Sequence, residues 1–258
     1  MPRQYTKRPA HALIIAMFQA ARLSKRPVLL DLFCGGGGAA AGYYRAGFAV
    51  IGVDLKQCRS YPFPIIHWDA LEIAQAYGHL ADAIHASPPC QLWCQGAGGR
   101  RRPDHADLIT PLRPILNRLE LPYIIESVPQ AAHLLVNPIF LDGSMFPDLP
   151  IKRRRAFECS DPPALLPERN PNRPALVLLT GQVNRSGHPH RENTVAERVQ
   201  AIGLKMSDRE LTEAIPWQYT HWLALHCFPF QDRSTRTPCR ETQPHTFVSS
   251  DQRSPENS

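Results

Sequence analysis

The sequence contains no apolar run that could cross a membrane, for which a helix needs about 18 or more consecutive apolar residues. A short apolar stretch near the N-terminus, 11–17, is soon followed by Gln19 and Arg22, and no cleavage-site pattern comes after it. We therefore expect a cytoplasmic protein that is neither secreted nor bound to a membrane.

Cysteine pairs typical of metal sites and disulfide frameworks are also absent. The chain has seven cysteines, an odd number, which are widely scattered and form no Cys-x-x-Cys pair. A zinc site or a disulfide framework is therefore not indicated, and we predict no bound metal ion. The pattern fits a reducing compartment and leaves open one functional thiol among several inert ones.

The excess of positive charge is small. Lys and Arg number 29 against 23 Asp and Glu, which gives a formal net charge of +6 and a pI near 9.1. Such an excess suits a nucleic-acid partner, although many unrelated proteins share it. With 43% apolar residues, the chain of 258 residues excludes wholesale disorder and can bury the core of one large α/β domain.

Short apolar runs alternate with helical stretches along the first half of the chain. The runs predict strands at 27–33, 49–54, 64–69, 83–87 and 123–126, and the intervening stretches predict helices at 9–24, 39–46, 70–78 and 107–119. This alternation predicts an α/β fold with a parallel, doubly wound sheet. The polar composition of 228–258 predicts a largely disordered tail.

A glycine-rich turn, Gly35 to Gly38, follows the first predicted strand. Asp54, at the end of the second, lies 23 residues after Asp31, close to the offset of about 20 at which an acid binds ribose hydroxyls in nucleotide folds. The glycines do not form a clean G-x-G-x-x-G, so a tight turn without a ligand stays open. Asp31 and Asp69, each interpreted as ending a strand, could cap a helix as readily as contact a ligand.

Cys90 follows the fourth predicted strand, in Ser87-Pro88-Pro89-Cys90-Gln91. The two prolines stiffen this turn and fix the direction of the thiol. The neighbouring segment 95–102 is rich in Gly and Arg, and nearby cations favour the thiolate. An inert, buried thiol is the alternative for most single cysteines.

Four short motifs follow one another along the chain: Asp31-Leu32-Phe33-Cys34-Gly35-Gly36-Gly37-Gly38, Pro88-Pro89-Cys90-Gln91, Glu126-Ser127-Val128 and Arg153-Arg154-Arg155. In this order they resemble the first motif, the nucleophile motif, the Glu-Asn-Val and the Arg-x-Arg of the DNA (cytosine-5)-methyltransferases. The motifs extend over roughly 27–158. Met145-Phe146 and parts of 201–220 resemble the corresponding regions of short phage and prophage members.

The resemblance implies methyl transfer from S-adenosyl-L-methionine to C5 of a cytosine that is flipped out of double-stranded DNA. The Cys90 thiolate would add to C6 of the base, Glu126 would protonate or hydrogen-bond N3, and Arg155 would stabilise O2. Arg153 would also face the site, with Arg154 more exposed.

The same resemblance implies a set of cofactor-binding residues. The residues expected to hold S-adenosyl-L-methionine are Asp31, Phe33, Gly35, Gly37, Asp54, Leu55, Asp69, Ala70 and Pro88. Among them, Phe33 would stack on the adenine, Asp54 would hold the ribose and Asp69 would meet the adenine amino group. Trp68 and Leu55 would form walls of the pocket.

The motifs divide the chain into five parts. We expect an N-terminal arm and helix at 1–26, a catalytic core at 27–159, a reduced target-recognition region at 160–200, a closing segment that returns to the core at 201–227 and the tail at 228–258. Two positions depart from the family pattern, because Ser127 replaces an Asn and Ile151 stands where the family has Gln. We expect a monomer in a bacterium or a phage-infected cell.

Other functions stay open beside DNA methylation. The same chemistry on RNA, as in the tRNA-methylating branch, uses the same motifs. A non-catalytic DNA-binding relative is disfavoured by the complete catalytic set, and a nicotinamide dehydrogenase would not explain Pro-Pro-Cys-Gln together with Glu126 and the paired arginines. The sequence leaves open whether the role is restriction protection or phage self-modification.

Overall fold

The computed structural model describes residues 9–89, 106–151, 153–170, 172 and 195–228. The strands in these ranges are β1 (Val28–Leu32), β2 (Ala49–Val53), β3 (Ile65–Ile66), β4 (Ala83–Ala86), β5 (Tyr123–Ser127), β6 (Ile139–Leu141) and β7 (Arg155–Cys159). The helices are α1 (His11–Leu23), α2 (Gly38–Arg45), α3 (Ala70–Tyr77), α4 (Ile109–Leu119), α5 (Val195–Ile202), α6 (Asp208–Glu213) and α7 (Trp217–Cys227). None of the helices in these ranges is long and apolar enough to span a membrane.

The strands form one sheet in the order β3-β2-β1-β4-β5-β7-β6. The five strands from β3 to β5 are parallel, as the sequence predicts. The sequence analysis did not predict the antiparallel edge of the sheet, where β7 is antiparallel to both β5 and β6. Antiparallel neighbours need no crossover helix, so these two strands fit into a part of the sequence that has no strand–helix alternation.

Each face of the sheet has its own apolar core. Val28, Leu30 and Leu32 of β1 belong to the core beneath α1, α3 and α4, and Leu29 belongs to the core beneath α2 and α7. Because successive side chains of a strand point to opposite faces, β1 must be apolar on both, which explains its near-continuous apolar sequence. Helices therefore cover both faces, and the α/β, doubly wound prediction is confirmed.

Several local predictions need correction. Strand β3 ends at Ile66, well short of 69, because Asp69 is the N-cap of α3 and its Oδ1 accepts hydrogen bonds from the next turn. Asp31 lies inside β1 and not at its end. Phe228, assigned to the disordered tail, is buried against Tyr43 and Phe48. The rest of that tail, 229–258, lies outside the described residues.

Helix α7 packs against α2, which follows the glycine turn. A side chain at Gly42 would overlap Thr220 Oγ1 and the carbonyl of Trp217. The Thr220 hydroxyl also donates to the carbonyl of Ala39 over 2.8 Å. The two backbones approach this closely because α2 consists mainly of glycine and alanine at the contact.

Part of the predicted recognition region also contacts the core. Arg169 Nε lies 3.0 Å from Asp142 Oδ2, and the backbone N–H of Asn170 donates to the carbonyl of Ser144 over 3.3 Å. Positions 173–194 lie outside the described residues. The reduced recognition region and the five-part division of the chain therefore stay predictions.

Candidate active site

The turn between β1 and α2 has an unusual backbone. Phe33, Gly35 and Gly37 all have positive φ, at 59°, 49° and 90°. At Gly37 a Cβ would lie 2.8 Å from Pro62 Cδ, so the position requires glycine for space as well as for conformation. At Gly35 a Cβ would meet no described atom within 4 Å, so the described residues leave space beside the backbone of this turn.

Asp54 ties the end of β2 to the glycine turn. Its Oδ2 accepts a hydrogen bond from the N–H of Gly35 over 3.1 Å, and its Oδ1 accepts one from the N–H of Lys56 over 2.9 Å. The side chain is half-buried. Each carboxylate oxygen can accept more than one hydrogen bond, so the same group retains capacity for ligand hydroxyls.

Asp31 lies below the turn and is completely buried. The hydroxyl of Tyr61 donates to its Oδ2 over 3.2 Å, and its Oδ1 has no hydrogen-bond partner among the described residues. Burial raises the pKa of Asp31 to about 8; the Tyr61 hydrogen bond opposes this effect and the negative charge of Asp54 adds to it. Asp31 is therefore largely protonated at neutral pH.

The remaining cofactor candidates differ in their exposure. Leu55 is 47% exposed, and Ala70 and Pro88 are buried. Asp69 uses Oδ1 to cap α3 through the N–H groups of Leu71 and Glu72. The capping role that the sequence left open for Asp69 is thus observed.

Glu126, on β5, is paired with Arg155, on β7. Arg155 Nε lies 2.8 Å from Glu126 Oε1, and both side chains are largely buried. Burial raises the pKa of Glu126, while the positive charges of Arg155 and Arg153 oppose that effect. This carboxyl group is therefore easier to protonate than an exposed glutamate, although it lies beside two arginines.

Arg153 is held by the closing part of the chain. Its guanidinium donates to the carbonyl of Thr212 over 2.6 Å, and its own carbonyl accepts a hydrogen bond from the hydroxyl of Tyr219. Arg154, by contrast, is exposed and lies over the ring of Phe140 at 4.3 Å. The arginine segment and the helices α6 and α7 therefore hold each other in place.

Cys90 and the basic triplet Arg100 to Arg102 lie outside the described residues. The chain can be followed up to Pro89, which directly precedes Cys90. Strands β4 and β5 are paired in parallel, with Ala86 opposite Ile125. The segment that leads to Cys90 therefore leaves the sheet beside Glu126.

The sequence analysis did not identify Tyr43, Tyr61 or His85, which form buried hydrogen bonds beneath the site. The sequence contains one signal for Tyr61. Gly52 interrupts an apolar strand, and a glycine inside a strand often marks a position that another part of the chain approaches closely. A Cβ at Gly52 would lie 2.5 Å from the Tyr61 ring. His85 also interrupts an apolar strand, yet its partner Tyr43 is 42 positions away.

Comparisons with known proteins show the fold. No protein-family model and no curated protein sequence matches the chain. A Dnmt2 methyltransferase from S. pombe is 13% identical and has a TM-score of 0.52, with 78% of this chain and 98% of that one covered. The chain therefore has the Rossmann-like methyltransferase fold, as predicted.

Two other solved structures resemble parts of the chain. A protein described as a DNA modification methyltransferase, from a prophage of E. coli, is 21% identical with a TM-score of 0.38; 51% of this chain and 45% of that one are covered. This chain thus matches less than half of that protein's length. An RNA methyltransferase from Salinibacter ruber, in complex with S-adenosyl-L-homocysteine, is 14% identical with a TM-score of 0.33; 62% of this chain and 98% of that one are covered.

Proposed function

We propose that the protein transfers a methyl group from S-adenosyl-L-methionine to C5 of cytosine in DNA. The observation that carries the proposal is the buried Glu126–Arg155 pair, which lies beside the point where Ser87 and the two prolines leave the sheet. In this proposal Cys90 is the nucleophile and adds to C6 of a flipped-out cytosine. Glu126 and Arg155 bind the polar edge of the same base.

The electrostatics of the pair suit the addition step. When a thiolate adds to C6, negative charge develops at N3 and O2 of the base. The raised pKa of Glu126 favours a protonated carboxyl that can donate to N3. Arg155 carries a fixed positive charge and several N–H donors that can stabilise O2. Arg153 adds positive charge while remaining bonded to Thr212.

The residues at the glycine turn fit the proposed cofactor. Asp54 offers carboxylate oxygens to the ribose hydroxyls, Phe33 offers an aromatic ring to the adenine, and the backbone at Gly35 leaves room beside it. The cofactor supplies an electrophilic methyl group. The other expected contacts, from Asp31, Gly37, Leu55, Asp69, Ala70 and Pro88, remain part of the proposal.

The decisive experiment supplies the purified protein with methyl-labelled S-adenosyl-L-methionine and either unmethylated plasmid DNA or total tRNA. We expect 5-methyldeoxycytidine in digests of the DNA, identified by mass spectrometry, and none with Glu126→Gln. Glu120→Gln is the matched control, because Glu120 is an exposed carboxylate at the opposite end of β5.

The nucleoside found in the digests distinguishes the alternatives. 5-Methylcytidine in the tRNA digest alone would replace DNA with RNA as the substrate and keep the chemistry. Binding of DNA without a methylated product in either digest would indicate a non-catalytic relative and would contradict the proposal.

A further inference from the structure

A buried hydrogen-bond chain, which the proposed chemistry does not use, joins α2 to the end of β4. The hydroxyl of Tyr43 lies 2.9 Å from His85 Nδ1, and His85 Nε2 lies 2.8 Å from the hydroxyl oxygen of Ser87. Tyr43 and His85 are both 0% exposed. The chain of Tyr43, His85 and Ser87 is referred to below as the histidine chain.

The histidine in this chain is neutral. Burial lowers the pKa of His85 to about 3, so the imidazole carries no charge at physiological pH. A neutral imidazole has one N–H donor and one acceptor nitrogen, and Tyr43 and Ser87 satisfy one each. Removing either hydroxyl would leave a buried ring nitrogen unpaired, which is costly in the interior of a protein.

Tyr43 fixes one end of the histidine chain. Its ring packs edge-on against Phe48 and also contacts Phe228, with ring centroids 6.2 and 5.9 Å apart. It lies on α2, the helix that begins at the glycine turn. The packing of its ring therefore holds the hydroxyl of Tyr43 in place against His85.

Ser87 is the other end, one residue beyond β4. Its backbone N–H donates to the carbonyl of Leu32 over 3.1 Å, and its hydroxyl bonds to His85. The next two residues are Pro88 and Pro89, which have no backbone N–H to donate. Ser87 is therefore the last residue before Cys90 that has a backbone N–H, and it is held through both its backbone and its side chain.

We infer that Tyr43 and His85 are positioning residues that set the orientation of Ser87 and thus the direction in which the segment carrying Cys90 leaves the sheet. The inference rests on the proposed function, because it takes Cys90 as the nucleophile. Neither residue touches the base in this scheme. Pro88 and Pro89 have fixed φ angles, which restricts the backbone between Ser87 and Cys90.

The test removes single hydroxyl groups and leaves the packing of the ring intact. Tyr43→Phe and Ser87→Ala should each lower kcat by about tenfold or more, since small displacements of a reacting group have effects of this size. The Kd for S-adenosyl-L-methionine, measured by calorimetry, should stay within about threefold, since the hydrogen bond between Asp54 and Gly35 at the glycine turn is not changed. Ser87→Thr keeps a hydroxyl and should retain most of the activity.

Tyr123→Phe is the matched control. Its hydroxyl donates to Glu158 over 3.2 Å, at the far end of the neighbouring strand β5. Removing it also takes a hydroxyl from a partly buried network but leaves the histidine chain unchanged. We expect kcat of this variant to equal that of the wild type. A loss as large as that of Tyr43→Phe would show a general effect on stability and would overturn the inference.

A second measurement does not depend on methyl transfer. The rate at which iodoacetamide alkylates Cys90, followed by peptide mass spectrometry, should change in Tyr43→Phe and Ser87→Ala but not in Tyr123→Phe. If the wild type transfers no methyl group, the proposed function fails and this rate alone decides the positioning role. Folded Tyr43→Phe and Ser87→Ala proteins with unchanged kcat and an unchanged rate at Cys90 would refute it.

Discussion

The hydroxyl of Tyr61 donates to the carboxyl group of Asp31, and this carboxyl lies completely inside the protein beneath the glycine turn. The pairing with a neutral hydroxyl, and not with a cation, leaves the effect of burial largely uncompensated. The proton of Asp31 is therefore part of the folded structure at neutral pH.

The first prediction is that Asp31 makes stability fall as pH rises. Its pKa is about 8 in the folded protein against 3.8 for a free side chain, so only the unfolded state loses the proton between these values. The free energy of unfolding should then fall by up to about 1.4 kcal/mol per pH unit. His85, with its pKa lowered from 6.5, opposes this slope below pH 6.5, so the clear window is pH 6.5–8.

Urea unfolding at pH 6.5 and pH 8 measures this slope. Asp31→Asn should remove much of the decrease in the free energy of unfolding between these pH values. Asp148→Asn, at an exposed position, should leave that decrease unchanged. An equal slope in wild type and Asp31→Asn would show that the carboxyl is ionised in the folded protein.

The second prediction concerns the nucleophile. Cys90→Ser should abolish methyl transfer while the affinity for S-adenosyl-L-methionine stays within a few-fold, because the thiol acts on the base and not on the cofactor. Cys94→Ala should lose far less activity. An essential Cys94 with a dispensable Cys90 would mean that the other thiol is the nucleophile.

The third prediction concerns Asp54. Asp54→Ala should weaken binding of S-adenosyl-L-methionine by roughly 1–3 kcal/mol, through loss of a charged hydrogen-bond acceptor. It also removes the bonds that hold Gly35 and Lys56. Calorimetry should show little change for Glu126→Gln, whose effect falls on turnover. Equal affinity losses in the two variants would contradict the division into two pockets.

The fourth prediction tests the contact between α2 and α7. Gly42→Ala should lower the free energy of unfolding by about 1–3 kcal/mol or more, because the added methyl group overlaps Thr220 and Trp217. Gly47→Ala is a useful comparison, because its Cβ would meet no described atom and only its positive φ, 103°, would be strained. An unchanged free energy of unfolding in Gly42→Ala would contradict the close contact between α2 and α7.

The fifth prediction concerns target recognition. The short region 160–200 should read only about two to four base pairs, since each good bidentate contact discriminates by about 1–3 kcal/mol and few can be placed. Phosphate contacts should then dominate the affinity, so DNA binding should weaken steeply with salt. Bisulfite mapping of a genome from cells that express the protein would show the site. A strict six-base site would contradict this expectation.

The parts of the fold that could be predicted from sequence are those with local signals. β1 and β2 could be predicted because they are apolar on both faces and are followed by glycines or by an acidic residue. The antiparallel edge was missed because Arg155 and Glu158 interrupt the apolar pattern of β7. Glu158 is nevertheless buried, because Arg113 holds it through two hydrogen bonds of 2.8 and 2.7 Å. No local pattern reveals such a distant partner.

The residues of the candidate site were likewise predicted only where a local motif gave a signal. Glu126 and the arginines were found through a resemblance between motifs, and the structure shows how close they lie. Tyr43 and His85 belong to no motif, and the hydrogen bond between them depends on the placement of α2 over the sheet. Burial and pairing of that kind are properties of the folded chain, so they could only be seen in three dimensions.

The hydrogen bond from Thr220 to Ala39 has a consequence for synthesis of the protein. The two residues are 181 positions apart, so the helix after the glycine turn leaves the ribosome long before the helix that covers it. At about 5–20 residues per second, the delay is roughly ten to forty seconds. During that interval the small-residue face of α2 is exposed on a nascent chain whose site is incomplete. We therefore expect chaperones to contact this face of α2 until α7 has been synthesised.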